Sequence, residues 1–304
     1  MKQSWLKLGK VFCPCGQNDL LYTHATNPVA EHLSQNRYRV YFSSRDKHNR
    51  GQIASIEIEI ENQTVRVCEN TLRHVLSHGK NGYFDDNGVT VTGFLHRNSK
   101  IYLYYLGWNL CRTIPFRNSI GLAVSEDDGV SFSRYSVAPI VDRNSFDPIS
   151  LSYPFIMNDN ETFRMWYGSC EEWNGNSNCD YFFSIKYAES NDGINWIRTN
   201  KTVIKCNRAF EDAIARPHIT KDNDKYRMWY SKKKGLNYSI GYAESNDGSK
   251  WERLDINCCI NVSDFGWDSE MIEYPYIFDH EGFRYMLYNG NGYGKTGFGI
   301  AVLE

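Results

Sequence analysis

The sequence lacks long apolar runs and an excess of either charge. No stretch approaches the ~20 apolar residues of a membrane-spanning helix, and the first residues lack the apolar segment of a secretion signal. The 34 basic and 36 acidic residues nearly cancel, with no basic stripe for nucleic acid and no polybasic run for an anionic membrane. We therefore expect neither a nucleic-acid partner nor a membrane partner.

Patterned cysteines are missing as well. The nine cysteines are scattered, and the close pairs Cys13-Pro14-Cys15 and Cys258-Cys259 have no CxxC partner and no histidine at zinc spacing. Reduced thiols in the cytoplasm are expected ahead of disulfides or a metal site. Neither a nucleotide-binding loop between a strand and a helix nor an HExxH motif is present, so we expect no cofactor and no metal.

What the sequence does contain is a repeat. Residues 153–167, 216–230 and 274–288 share an early proline followed by an aromatic strand. The first two copies are followed by Tyr-Ala-Glu-Ser-Asn-Asp-Gly, at residues 187–193 and 242–248. A period of roughly 50 to 60 residues with alternating, aromatic-rich strands is typical of β-propeller blades. Because a propeller builds its site in the axial funnel, the repeat also predicts where function lies.

The strand-like runs predict an all-β protein, a five-bladed β-propeller in a single domain spanning residues 1–304. The five predicted units cover residues 22–68, 89–140, 152–204, 214–260 and 273–303. The fifth unit lacks a fourth strand. Trp5-Leu6-Lys7-Leu8 resembles Trp251-Glu252-Arg253-Leu254, which begins the outer strand of the fourth unit. We therefore expect the N-terminal strand to pair with the last blade and close the ring. No Gly/Ser or Pro-rich linker divides the chain.

Acidic residues fall into two classes by their place in a blade. Those in the turns at 125–132, 190–193 and 245–248 join the third and fourth strands, away from the funnel, and are expected to set the turn conformation. The segments that lead into the inner strands lie on the funnel face. Four of these segments carry an aromatic residue and then an acid: Phe84-Asp85, Phe146-Asp147, Phe210-Glu211 and Trp267-Asp268. An acid that recurs in this way suits a catalytic role or a structural cap, and both interpretations stay open.

Polar residues that occur in one lead-in segment only point more directly to function. They are His24, Asp86, Asp212, Arg216, His218, Glu270 and Glu273. Arg216 suits a substrate carboxylate or phosphate, or an ion pair between blades. Aromatic and amide side chains near the funnel suit sugar rings and hydroxyls. We expect substrate binding by His24, Arg45, Asn109, Arg216, His218, Trp267 and Asn289. Glycoside cleavage needs one protonated and one ionised carboxyl, and Glu270 with Glu211 or Asp147 is the predicted set.

At blade level the sequence resembles the five-bladed furanosidase-type glycosidases, which include arabinanases, β-xylosidases, invertases and mannoside phosphorylases. The resemblance rests on the Met-Trp-Tyr strand and the Ala-Glu-Ser-Asn-Asp-Gly-x-x-Trp turn. By position it implies Asp86 (or Asp85) as the residue that adjusts a pKa and Glu211 or Glu270 as the proton donor. Where the first blade of that family has Asp-Pro, this chain has Asn27-Pro28. That departure implies either His24 as a substitute acid or a chain that binds sugars without cleaving them.

Three functions follow as alternatives. The first is a glycosidase-like enzyme of the cytoplasm that cleaves a glycosyl bond of a small or activated sugar. The second is a carbohydrate-binding propeller without catalysis. The third is a transferase or lyase acting on a sugar nucleotide in surface-polysaccharide assembly, which predicts that Arg45, Arg216 and Lys232 converge. Two carboxyls about 5–9 Å apart in one pocket favour hydrolysis, whereas lone acids among aromatics and amides favour binding.

Overall fold

The computed structural model describes residues 2–14, 16, 18–175 and 181–304. Strands hold 58% of the residues and helices 2%, so the protein is all-β, as predicted. The strands form antiparallel groups, which we call units 1 to 5. Unit 1 consists of β2 (Thr23–Ser34), β3 (Arg37–Arg45), β4 (Gly51–Glu61), β5 (Thr64–Val67) and β6 (Arg73–Leu76), and unit 2 consists of β7 (Gly88–Arg97), β8 (Lys100–Leu110), β9 (Phe116–Ser125) and β10 (Ser133–Arg134). Unit 3 consists of β11 (Leu151–Asp159), β12 (Thr162–Trp173), β13 (Tyr181–Ser190) and β14 (Ile197–Ile204), and unit 4 consists of β15 (Ala213–Asp222), β16 (Lys225–Lys234), β17 (Asn237–Ser245) and β18 (Glu252–Arg253), followed by a 3-10 turn (Asp255–Asn257). Unit 5 consists of β19 (Glu273–His280), β20 (Phe283–Asn289), a short helical turn α1 (Asn291–Gly294), β21 (Phe298–Leu303) and the N-terminal strand β1 (Trp5–Phe12).

The first strands of the units lie against one another. β2 contacts β7, β7 contacts β11, β11 contacts β15, β15 contacts β19, and β19 contacts β2. Single parallel pairings, Gly51 with Gly88 and Phe183 with Ala213, join units 1 and 2 and units 3 and 4 into larger sheets. The residues at the starts of these five strands are therefore brought together from distant parts of the chain.

The N-terminal strand β1 completes unit 5. It pairs with β21, with Trp5 opposite Leu303 and Lys7 opposite Ala301. The same alanine-to-base pairing joins the third and fourth strands of units 2, 3 and 4: Ala123 with Arg134, Ala188 with Arg198, and Ala243 with Arg253. Lys7 therefore occupies the position of a basic residue that recurs in the outer strands.

The hydrophobic core lies between units. One cluster joins Phe42 and Ile56 of unit 1 to Leu287 and Ile300 of unit 5, and similar clusters join each other pair of neighbouring units. Each fully buried side chain of this size contributes about 1.5–3 kcal/mol to folding. Because the apolar faces of the sheets are shared, the units stabilise one another.

The turns between third and fourth strands dock on the preceding unit. Asp192 Oδ1 accepts hydrogen bonds from the backbone N–H groups of Ile194 and Asn195, at 2.8 and 2.7 Å. The Tyr104 hydroxyl of unit 2 donates to Gly193 O of the same turn at 2.9 Å. The prediction that acids in these turns set the turn conformation is confirmed, and the turns also hold neighbouring units together.

Two outer strands differ from the sequence-based expectation. The run 132–140 forms only the two-residue strand β10 and a bridge between Ile120 and Val141, because Pro139 has no N–H to donate to a longer ladder. In unit 1 the outer position is shared by β5 and β6. Within the described residues, no helix is long and apolar enough to cross a membrane.

Candidate functional site

Asp147, one of the predicted catalytic carboxylates, is held by its own unit. The carboxylate is 0% exposed. It accepts hydrogen bonds from Tyr167 at 2.9 Å and Ser169 at 2.7 Å, and it pairs with Lys186 at 3.0 Å and Arg198 at 2.9 Å. Burial alone would raise its pKa, but the bonds from Ser169, Lys186 and Tyr167 and the charge of Lys186 hold the pKa below the usual value. These partners account for the charge of Asp147 without a substrate.

The same arrangement recurs in three other units. A second-strand tyrosine and a fourth-strand base flank an acid in each of them: Tyr105 and Arg134 at Asp85, Tyr230 and Arg253 at Asp255, and Tyr288 and Lys7 at Asp268. Asp85 and Asp268 are buried, whereas Asp255 is partly exposed. Glu211, the second predicted carboxylate, binds Arg253 through two contacts of 2.6 and 2.9 Å and accepts the Asn207 N–H at 2.7 Å. The structural interpretation therefore explains the recurring acids.

Asp86 and Asn109 bind each other. The Asn109 amide donates to Asp86 Oδ1 at 2.6 Å and to Tyr83 O at 2.8 Å, while Asp86 Oδ2 accepts the Gly82 N–H at 2.9 Å. These bonds organise the loop that leads into β7. No base or second carboxyl contacts Asp86 in the part of the chain that the structure describes.

Asn289 and Trp267 are parts of the packed interior of unit 5. The buried Asn289 amide donates to Ala25 O at 2.6 Å and Gly297 O at 3.0 Å and accepts the Asn27 N–H at 2.8 Å. Trp267 packs on Tyr288, with ring centroids 5.2 Å apart. Asn289 thus ties unit 5 to unit 1, and its hydrogen bonds are already used.

A register shift occurs at the same place in every first strand. The residues at the shifts, which we call the bulge ring, are Asn27, Thr92, Tyr153, Arg216 and Tyr274. All but Thr92 precede a proline. Positive φ angles of 55°, 53° and 56° at Asn27, Arg216 and Tyr274 are strained for residues with a side chain. Such strain persists where surrounding structure enforces it, commonly at functional sites.

The bulge ring brings residues of all five units into contact. Arg216 Nε donates to Asn27 Oδ1 at 3.1 Å and Nη1 donates to Thr92 O at 2.8 Å. The hydroxyls of Tyr153 and Tyr274 are 3.5 Å apart. Arg216 is 0% exposed, and Nη2 has no partner among the described residues. Burial lowers its pKa to about 10, and no carboxylate counters that effect. The structure therefore gives Arg216 no ion pair between units.

Glu273, next to the bulge ring, is the most unusual carboxyl of the described chain. It is 0% exposed, and neither carboxyl oxygen has a hydrogen-bond partner of normal geometry. Burial raises its pKa well above the usual value, against smaller opposing effects of Tyr274 and Lys233. No second carboxylate acts on its ionisation. Burial therefore favours the protonated form of Glu273.

Glu270, which is a predicted proton donor together with Glu211, lies three residues before Glu273 and is exposed. Its backbone N–H is bound by Asn291 Oδ1 at 2.8 Å. Glu270 and Glu273 each occur in one lead-in segment only, so that criterion does not distinguish them, whereas burial in the structure does. Adjacency to the bulge at Tyr274-Pro275 is the sequence signal that distinguishes Glu273.

His24 and Arg45 of unit 1 lie at the edge of this cluster. His24 has φ 63°, and its Nδ1 is 2.9 Å from Thr23 Oγ1. Burial, with the charges of Arg45 and Lys295, lowers the pKa of His24 to about 4. Burial also lowers the pKa of Arg45, whose charge interacts with Tyr153. His24 is therefore neutral at pH 7 and Arg45 stands near the tyrosines of the ring.

His218 lies two residues after Arg216, between two aromatic rings. Its ring centroid is 4.7 Å from that of Phe155 and 4.5 Å from that of Tyr276. Burial, together with the charge of Arg216, lowers its pKa far below the usual value, so it is neutral. Its Nδ1 has no partner in the described part of the chain.

An open cavity of about 470 Å³ adjoins the cluster in unit 4. Lys233 and Tyr238 line it, and the Tyr238 ring lies 5.9 Å from that of Tyr274. Lys232 also lines it but pairs with Asp255 at 3.5 Å. Of the three bases predicted to converge, Arg45 and Arg216 share the tyrosines of the bulge ring, whereas Lys232 is engaged elsewhere.

The described residues contain no group of three His, Cys, Asp or Glu side chains placed to hold a metal ion. Residues 292–297 match GxGxxG in letters, but they lie between two strands. The N–H groups of Lys295, Thr296 and Gly297 donate to carbonyls of the same loop. We assign this loop no phosphate-binding role.

Comparison with known proteins identifies close relatives in sequence. The chain is 42% identical over 301 residues to the uncharacterized protein Rv1502 of Mycobacterium tuberculosis, covering 99% of both chains. A second uncharacterized M. tuberculosis protein, MT1551, matches to the same extent. No family model matches the chain.

Several solved structures with a similar fold are described as glycoside hydrolases. One described as a glycoside hydrolase has a TM-score of 0.75 and 17% identity, over 99% of this chain and 91% of that one. A thermostable family-43 glycoside hydrolase has a TM-score of 0.68 and 18% identity, over 95% and 91%. A Bombyx mori GH32 β-fructofuranosidase in complex with sucrose has a TM-score of 0.62 and 14% identity, over 92% and 61%. These neighbours confirm the predicted resemblance in fold.

Proposed function

Because the chain belongs to the family of the M. tuberculosis protein Rv1502 and shares its fold with glycoside hydrolases, we propose that it binds a carbohydrate beside the bulge ring and cleaves a glycosyl bond with Glu273 as proton donor. A general acid must carry its proton at the working pH and give it up to the leaving oxygen. The single observation that carries the proposal is the buried Glu273 carboxyl, whose two oxygens lack a hydrogen-bond partner of normal geometry among the described residues.

The surroundings of Glu273 suit a sugar. Tyr153 and Tyr274 are 5.2 Å apart between ring centroids, and Tyr238 lies 5.9 Å from Tyr274. Such flat apolar faces with hydroxyl groups bind sugar rings and their hydroxyls. Of the residues proposed from the sequence, His24, Arg45 and Arg216 belong to this site. Asp147, Glu211, Asp86, Asn109, Asn289 and Trp267 have partners that support the scaffold, and His218 lies behind the ring.

We also propose the number of blades and the closure of the propeller. The cyclic contacts of the first strands and the pairing of β1 with β21 support five blades closed around one axis in a single domain of residues 1–304. The proposal also includes a cytoplasmic setting, which the seven free cysteines of the described residues support.

A second candidate is sugar binding without catalysis. It is favoured by one observation: no second carboxylate acts on Glu273, whereas hydrolysis ordinarily uses two. Asn27 stands at the first-strand position where a second carboxyl is expected by resemblance.

A leaving-group series tests the proposal. Wild type, Glu273→Gln and the exposed control Glu270→Gln are screened against aryl glycosides whose phenols differ in pKa. We expect Glu273→Gln to lower kcat by about 10²–10⁴ on poor leaving groups and much less on dinitrophenyl glycosides, which need no proton. Glu270→Gln should match wild type.

Equal loss on every leaving group would remove Glu273 as the acid. Tight sugar binding with no turnover on any substrate would support the second candidate.

A further inference from the structure

We propose that the sugar carries an anionic group, a phosphate or a carboxylate, which Arg45 and Arg216 bind beside Tyr153 and Tyr274. The inference deepens the proposed function and rests on it for the location of the sugar. It assigns the class of substrate rather than the reaction.

Arg216 has the surroundings of a residue that binds an anion. Its guanidinium is fixed by Asn27 Oδ1 and Thr92 O, at 3.1 and 2.8 Å, and both of these partners are neutral. A charge buried in a protein is normally paired, because an unpaired one costs several kcal/mol. Nη2 remains without a partner. A planar guanidinium held in this way can bind an oxyanion, and the oxyanion would supply the negative charge that Arg216 lacks as a partner.

Arg45 adds a second cation, whose charge acts on the same tyrosines. The charges of both arginines interact with Tyr153 and Tyr274. Tyr153 and Arg45 are half-buried, whereas Arg216 is fully buried. Arg45 and Tyr153 are therefore the members of this group that solvent reaches.

The charge balance of the cluster agrees with this assignment. Arg45 and Arg216 are cationic, and burial favours the neutral form of the adjacent carboxyl, Glu273. The charges of Arg45 and Lys295 also lower the pKa of His24, which agrees with a positive environment in this region. A ligand that brings one or two negative charges removes this imbalance.

The lysines of the unit 4 cavity are weaker candidates. Lys232 pairs with Asp255 at 3.5 Å, and Lys234 pairs with Asp212 at 3.3 Å. Their charges are already compensated by neighbouring carboxylates. The two arginines, by contrast, have no carboxylate among their contacts in the described chain.

Calorimetric titration tests the inference with four kinds of probe: inorganic phosphate, hexose and pentose 1-phosphates, uronates and the parent neutral sugars. Wild type is compared with Arg45→Gln and with Lys100→Gln, which removes an exposed charge paired with Glu126 in a turn away from the site. We expect at least one anionic sugar to bind about tenfold or more tightly than its neutral parent, with an affinity that falls as KCl rises. Arg45→Gln should abolish most of that difference, and Lys100→Gln should not.

The probes separate the sources of the anion. Binding of 1-phosphates but not uronates identifies a phosphate ester, the reverse identifies a carboxylate, and inorganic phosphate that matches the esters identifies free phosphate. Equal affinity for anionic and neutral sugars, or for wild type and Arg45→Gln, overturns the inference and leaves Glu273-dependent cleavage standing. Anion binding without any Glu273-dependent cleavage overturns the proposed function and leaves the inference standing.

Discussion

Replacing Glu273 by Gln should stabilise the protein at high pH and have little effect in acid. In the unfolded chain this carboxyl ionises near its ordinary pKa, whereas burial keeps it protonated in the fold. From about pH 4.5 upward the native state then binds more protons than the unfolded state, so wild-type stability falls as pH rises. Glutamine has nearly the same shape and cannot ionise, so it escapes this loss.

The size of the effect follows from the linkage. Each pH unit between the unfolded and the folded pKa changes the free energy of unfolding by up to about 1.4 kcal/mol. For 304 residues the entropy of unfolding is about 640 cal/mol/K, so the two Tm values should separate by about 2 °C per pH unit.

Thermal unfolding of both proteins between pH 4 and 8 measures this separation, with the exposed Glu270→Gln as control. The curves for wild type and Glu273→Gln should coincide near pH 4.5 and diverge above it, while Glu270→Gln follows wild type throughout. A separation that does not change with pH, or a wild type that becomes the more stable protein at pH 8, would show that Glu273 is ionised. The assignment of Glu273 as proton donor would then fail.

Three further substitutions test the scaffold by thermal or denaturant unfolding. Lys7→Ala should cost about 2–4 kcal/mol, because Asp268 loses its base, whereas the exposed Lys10→Ala should cost little; equal effects would deny that β1 supplies this ion pair. Asp147→Asn should cost about 3–5 kcal/mol by leaving Lys186 and Arg198 without a counter-charge, and unchanged stability would return Asp147 to the list of catalytic candidates. Gly193→Ala should lower the free energy of unfolding by about 1–3 kcal/mol more than Gly235→Ala. Both glycines have positive φ, but only at Gly193 would the new Cβ meet a neighbouring unit, at 2.8 Å from the Tyr104 hydroxyl. Similar costs would mean that the turn does not bear on unit 2.

The strands were predictable because their signals are local. Alternation of apolar and polar residues and the turn chemistry of Ser-Asn-Asp-Gly act within a few residues, so the units appeared at their observed positions. Even β1 was recognisable, since Trp5 and Lys7 repeat the spacing of Trp251 and Arg253.

The roles of the acids were not predictable from the same signals. Asp147 is neutralised by Arg198, 51 residues later, and Asp268 by Lys7, 261 residues earlier. Nothing near Asp268 in the sequence indicates that partner. Glu270 and Glu273 differ in burial, which depends on how β19 enters the centre of the fold.

Equivalent positions in the units differ in what they share, either a side-chain contact or a backbone shape. The acid that faces a second-strand tyrosine and a fourth-strand base recurs in units 2 to 5, where it holds the outer strand. The bulge recurs as a backbone shape but carries four kinds of side chain: Asn27, Thr92, Arg216, and tyrosine at Tyr153 and Tyr274. Because the side chains differ, no single structural bond explains why the bulge recurs. It produces an asymmetric cluster of amide, phenol and guanidinium groups beside a neutral carboxyl, which is what recognition of one asymmetric ligand requires.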